Sequence, residues 1–158
     1  MYTRDHGKVD VMATGIRKIA SKLAGHMTEE SIIECTMHPG RDAMRLVHAE
    51  RVRTFPAVTG DLQCVAMSHA AREVVDAIVR PGVADATIFE LLERLYGGLE
   101  ERKVEPKGLL QIFLYHLLHA LGLMALPKTI PKQEVIPEIL YDHLQTPLAS
   151  ESYFVNRK

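Results

Sequence analysis

Cysteine is scarce in this sequence: Cys35 and Cys64 are its only two, and neither sits in a CxxC spacing. That excludes a disulfide framework and a structural zinc site, and leaves two free, buried thiols as the expectation. Catalytic signatures are missing as well. No GxSxG turn surrounds Ser68-His69, and Gly97-Gly98 and Gly7-Lys8 lack the spacing of a phosphate loop. The eight histidines include no HExxH run, for His116 and His119 stand at i and i+3 without the glutamate that a zinc hydrolase needs. The residues point to no enzyme and no cofactor. One-sided charge is also absent: the formal net charge of −1 singles out neither a polyanion nor a cationic partner. Aromatic rings are thin where a single-strand binder would stack bases, Tyr2 and Phe55 being the only ones before residue 57. The first eight residues hold no apolar secretory core, so a cytoplasmic protein is the expectation.

What is present begins with an apolar stretch, Leu109 to Leu126, flanked by Pro106 and Gly108 before it and by Pro127 after it. Proline near the start and Gly122 near the end give it the polarity of a helix. Apolar residues cover nearly its whole circumference, which predicts a helix near 106–126 packed on most sides. A membrane span is the rival, but Gln111, His116 and His119 would each need a polar partner in lipid. At 158 residues and 47% hydrophobic, the chain has enough apolar mass for one ordinary domain with a real core.

The first third reads as β-structure. Residues 8–13 alternate, 31–37 are rich in β-branched and apolar side chains, and His38-Pro39-Gly40-Arg41 signals a turn. A longer alternating run covers 43–55. Because successive side chains of a strand point to opposite faces, Arg45, Arg51 and Arg53 share one side of one strand with Val47 and Ala49. After Pro56 the pattern turns helical. Thr59 or Asp61 caps a helix running to Arg80, and Asp85 caps a second one closed by Gly97-Gly98. Pro131, Pro137 and Pro147 break the remainder, which leaves one short helix near 137–144 and a loose tail. The fold class is therefore α+β, with a small β-module over 1–56 and an all-α helical domain over 57–158. Three strands fall short of the five that close an oligonucleotide-binding barrel.

Basic residues offer the functional lead. Residues 1–56 hold nine Lys/Arg against seven Asp/Glu, while 57–158 hold ten against thirteen. Arg17, Lys18 and Lys22 fall within six residues of one another, and Lys8 with the Arg45, Arg51 and Arg53 row adds to them. Cations on a sheet face and adjoining loop suit a phosphate backbone, which they neutralise with counterion release and without base reading. The plainer reading is a solvated strand face balanced by Glu34, Asp42 and Glu50.

The order of segments carries a family likeness. Thr3-Arg4-Asp5-His6-Gly7-Lys8, Ala13-Thr14-Gly15-Ile16-Arg17-Lys18 and Ser21-Lys22-Leu23-Ala24-Gly25 stand one after another. Then come Glu50-Arg51-Val52-Arg53-Thr54-Phe55-Pro56 and a helix with Ile112-Phe113-Leu114 and Leu117-Leu118-His119-Ala120-Leu121-Gly122. In that order they resemble the RecO family of DNA repair proteins, from Tyr2 to about Lys128. Measured by that family the chain is short at its N-terminus, where one or two barrel strands would precede Met1, and it has no zinc module. Thr14 stands where a lysine is usual, and Glu29-Glu30 replace a Pro-Phe pair.

The resemblance implies an incomplete OB-like β-module followed by a helical domain, in a non-enzymatic recombination mediator. Such proteins bind single- and double-stranded DNA, anneal complementary strands, contact the C-terminal tail of single-strand binding protein and join RecR to load RecA. The implied setting is cytoplasmic and nucleoid-associated, with no membrane. Arg17, Lys18 and Lys22 fall in the family's basic loop. Lys8, Arg45, Arg51 and Arg53 complete the expected nucleic-acid-binding set from strand position. Two other classes compete: a helical module that binds only proteins, and a metal-dependent hydrolase built on His116, His119 and His143.

Overall fold

A computed structural model of the chain describes residues 1–13, 30–41, 43–125 and 148–150. The strands come first and the helices after them. β1 (Tyr2–Thr3) and β2 (Gly7–Lys8) form an antiparallel hairpin, and β3 (Val11–Met12), β4 (Ser31–Pro39) and β5 (Met44–Thr54) form a second sheet in the order β3-β5-β4. β3 runs parallel to β5, and β4 antiparallel to it. The alternating run at 8–13 is thus split between two sheets, with its break at Val9 and Asp10. His38 and Pro39 still belong to β4, so the turn begins only at Gly40.

Four helices follow among the described residues: α1 (Pro56–Thr59), α2 (Leu62–Ile78), α3 (Ala86–Glu101) and α4 (Pro106–Ala120). The α+β order read from the sequence holds. Asp61 caps α2 by accepting from the N–H groups of Gln63 and Cys64, and Asp85 caps α3 through Thr87, which satisfies orphan donors at both starts. The short α1 borrows its cap from across the fold: Glu100 Oε2 accepts from Ala57 N at 2.8 Å.

Gly97-Gly98 does not close α3, contrary to the sequence expectation. The helix passes through both glycines and ends at Arg102, whose φ of 54° is left-handed. Gly98 serves close packing instead, since a Cβ there would come within 3.0 Å of Leu109 on α4. Arg102 holds its strained backbone while its guanidinium donates to Ala57 O at 2.6 Å and lies 3.8 Å from Asp61.

The core is helical. Ile88, Leu91, Leu95 and Leu99 of α3 meet Leu110, Phe113, Leu114, Leu117 and Leu118 of α4. α2 adds Cys64, Met67, Ala70, Ala71, Val74 and Val75. Each large side chain buried this way contributes about 1.5–3 kcal/mol against conformational entropy. α4 is not packed all round, however: Ile112, His116 and His119 face solvent. It is also shorter than the apolar stretch. Leu123 N donates to Leu118 O, and Gly122 N to His119 O, with Gly122 at φ 72°. A left-handed glycine with these back-bonds ends the helix well before Pro127. Among the described residues no helix is long and apolar enough to cross a membrane.

Candidate nucleic-acid interface

Lys8, Arg45, Arg51 and Arg53 lie within the described residues; Arg17, Lys18 and Lys22 lie outside them. Lys8 comes just after a hairpin loop, Arg4-Asp5-His6, that leads into Gly7 at φ 65°, a left-handed position natural to three-residue hairpins. The Thr3 hydroxyl accepts from His6 N and donates to Gly7 O. β2 then bridges to Pro81, which lays the hairpin on the turn between α2 and α3. There the Lys8 ammonium sits 3.1 Å from the Asp76 carboxylate and donates to the Asp76 carbonyl. A cation at the last turn of a helix complements its dipole. Lys8 is thereby engaged with the C-terminal turn of α2.

The expected row of three arginines does not form. All nine residues of β4 have partners on β5, but the register skips Val47 and Val52. Each skip is a β-bulge, and each reverses the parity of the residues beyond it. Arg45 pairs with His38 and Arg53 with Ile32, so these two share a face; Arg51 pairs with Ile33 and lies on the other. Burial agrees, because Leu46 and Ala49, of opposite sequence parity, are both buried and both pair with the Ile33 side of β4. The face with Arg45 and Arg53 also carries His38, His48 and two glutamates, Glu34 and Glu50, that are direct cross-strand partners. Two arginines against two carboxylates make this face balanced.

Arginines converge elsewhere, three of them among three glutamates. A groove of about 630 Å³ lies between the hairpin, the end of β5 and the polar face of α3. Arg4 and Arg53 enter it from the β side, and Arg94 from α3. The Arg4 guanidinium stacks over Phe89 and that of Arg53 over Phe55, each 5.0 Å from the ring centre. Both reach Glu93, at 3.9 and 3.6 Å. Sequence reasoning missed Arg4, Glu93 and Arg94 as members of one site. The signal was the spacing of Glu90, Glu93, Arg94, Gly97 and Glu101 along one helical face.

Beneath the strand ends lies a buried polar cluster. Glu30, 4% exposed, stands 3.1 Å from the Arg72 guanidinium and 3.2 Å from the Ser68 hydroxyl, and its carbonyl accepts from Phe55 N. Burial, with Glu30 nearby, pushes the Tyr96 hydroxyl well above its ordinary pKa, against the opposing pull of Arg72. This cluster ties the start of β4 to α2 and α3. Ser68 is thus a structural hydroxyl. His116 and His119 stand on the exposed side of α4, His119 with its Nδ1 3.1 Å from Met124 O. His143 lies outside the described residues, and among the described residues no group of metal-ligating side chains occurs.

No family model matches the chain. Several curated proteins similar to it carry the name DNA repair protein RecO. The Synechococcus protein is 33% identical over 135 residues, which is 77% of this chain and 47% of that protein. The Myxococcus xanthus protein is 31% identical over 127 residues (78% and 51%), and the Nostoc protein 28% over 127 residues (80% and 43%). The chain spans about half the length of the curated relatives it matches.

Proposed function

This chain is a RecO-like protein, and from that premise we propose that it serves DNA repair as a non-catalytic module that binds single- and double-stranded DNA by the phosphate backbone. The observation that carries the reading is the similarity to RecO proteins over more than three quarters of the chain, β-module and helices together. The proposed contacts are Arg17, Lys18 and Lys22 of the basic segment with Arg45, Arg51 and Arg53 of β5. Bulges distribute the last three over two faces, so the contact is a rim around the β-module. Lys8 supports the rim by anchoring β2 to α2. Annealing, contact with the tail of single-strand binding protein and RecA loading with RecR belong to the same proposal, as does a nucleoid-associated, cytoplasmic setting.

The test is fluorescence anisotropy of a labelled oligonucleotide with the full chain across a salt series. Each phosphate neutralised on a single strand steepens the slope of log K against log salt by about 0.7. Replacing Arg17 and Lys18 with alanine together is expected to flatten it by roughly 1.4. An unchanged slope and affinity would remove the segment from the site. A second reading has its own observation: Lys8 and Arg53 are ion-paired and the Arg45 face is balanced, which suits a module that binds proteins only. That reading expects no oligonucleotide binding and measurable binding of an acidic-aromatic tail peptide in the same assay.

A further inference from the structure

We infer that the groove between the β1–β2 hairpin and α3 is a phosphate subsite for polynucleotide, closed by an internal counter-ion, Glu93. The inference rests on the DNA-binding reading above and names a site that the basic segment does not include. Four observations carry it. Arg4 comes from the hairpin loop and Arg53 from β5, yet they aim at one point, where both guanidinium groups meet the Glu93 carboxylate at 3.9 and 3.6 Å. Their planes are held in advance by stacking on Phe89 and Phe55, so little side-chain freedom is lost when an anion binds. The contacts to Glu93 are long and its side chain is 36% exposed, with Arg4 and Arg53 about half exposed. Exposed pairs of this kind are weak and salt-screened. Space is available too, for the groove holds about 630 Å³ beside these groups.

A phosphodiester in this position would accept from both guanidiniums in place of the carboxylate, a fork-to-oxygen match that arginine makes well. Arg94, 3.9 Å from Glu90 on the same helix, stands at the groove wall as a third donor. Glu90 and Glu101 also line the groove and oppose a polyanion. The site therefore binds weakly at rest and answers strongly to loss of the Glu93 charge. Polynucleotide is favoured over an acidic peptide because Arg53 and Arg45 stand spaced along one face of β5, with the Glu34–Glu50 pair between them. Six residue steps along β4 lead from the partner of one, Ile32, to that of the other, His38, a span of about 20 Å at 3.3 Å per residue, or about six nucleotides at 3.4 Å each.

The test compares the parent full chain with Glu93→Gln, using a labelled single-stranded oligonucleotide and anisotropy across salt. Glu93→Gln is expected to tighten binding roughly two- to fivefold, the range set by release of a weak exposed pair, and to steepen the salt slope by about 0.7 for one added phosphate. Glu105→Gln, the same charge change away from the groove, is expected to leave the slope alone. Adding Arg4→Ala to Glu93→Gln is expected to cancel the gain. If Glu93→Gln behaves like the parent, or Glu105→Gln matches its gain, the subsite is overturned while DNA binding by the chain stands. Binding of oligonucleotide by neither protein overturns both readings. Gain for an acidic peptide with none for the oligonucleotide overturns the polynucleotide assignment.

Discussion

Gly7 is pressed against the carbonyl of Val83: a Cβ at Gly7 would stand 2.0 Å from the oxygen. The backbone there is also left-handed, at φ 65°. Two independent demands thus fall on one residue, because a side chain would strain the turn and would force the hairpin off the α2–α3 connection. Gly7→Ala is expected to destabilise the fold by about 2 kcal/mol or more, read as a lower urea midpoint. A midpoint equal to the parent's would mean that the hairpin does not dock as described.

The Glu100 carboxylate makes a comparable long-range link, accepting from Ala57 N at 2.8 Å and Val58 N at 3.3 Å at the start of α1. Glu100→Ala removes a cap that no nearby residue supplies, since Phe55 provides none. The expected loss is about 1 kcal/mol, measured by chemical denaturation.

Removing one member of the Glu30–Arg72 pair should cost more than removing both. Glu30→Ala leaves the Arg72 charge beside the Ser68 and Tyr96 side chains. With Arg72 still 33% exposed, the loss is expected near about 2 kcal/mol, below the roughly 3–5 kcal/mol of a fully buried pair. The double replacement Glu30→Met with Arg72→Met is expected to recover much of that loss, because the desolvation cost goes with the charges. A double variant less stable than Glu30→Ala would contradict this account.

Two titrations bound the pH range of stability from opposite ends. Tyr96 has its pKa raised above 10.0 in the fold, chiefly by burial. Its contribution is full below pH 10.0 and is lost as pH rises toward the folded value, because the unfolded state releases the proton first. Tyr2 and Tyr115 shift in the same direction, so Tyr96→Phe is expected to reduce the alkaline loss and not abolish it. Burial pushes the Glu73 carboxyl up, but the Ser150 side chain and the N–H groups of Ala149 and Ser150, at 2.7 and 2.9 Å, outweigh it and hold the pKa below 4.5. That contribution is present above pH 4.5 and is lost as pH falls through the folded value. Glu73→Gln is expected to flatten the acid limb of a pH-stability profile.

The bulges at Val47 and Val52 put Arg45 and Arg51 on opposite faces of β5, and a rim contact uses both. Arg45→Ala and Arg51→Ala are each expected to flatten the salt slope by about 0.7, as one lost phosphate contact does. An unchanged slope for Arg51→Ala would confine the contact to the face that Arg45 shares with Arg53.

Local chemistry was legible in the sequence wherever a single residue type decides the outcome. Asp85 announced its helix start, and Asp61 did so with Thr59 as the alternative, because a carboxylate there can accept from the N–H groups of Thr87 and of Gln63 and Cys64. The α3 core spacing was equally plain at Ile88, Leu91 and Leu95, but buried Leu99 lies beyond the stop expected at Gly97-Gly98. The buried face of α2 was harder to see, because Ala70 and Ala71 carry little of it in hydrophobicity while Leu62, the first apolar residue, is 85% exposed. Tertiary structure alone decided the rest. Whether Gly97-Gly98 ends a helix or admits Leu109 depends on a neighbour that local propensity cannot register. Parity along β5 depends on where β4 skips a residue, and that is a property of two strands together. The pairing of Arg4 and Arg53 around Glu93 is of the same kind, since charge positions along a chain carry no distance until packing brings three segments to one point.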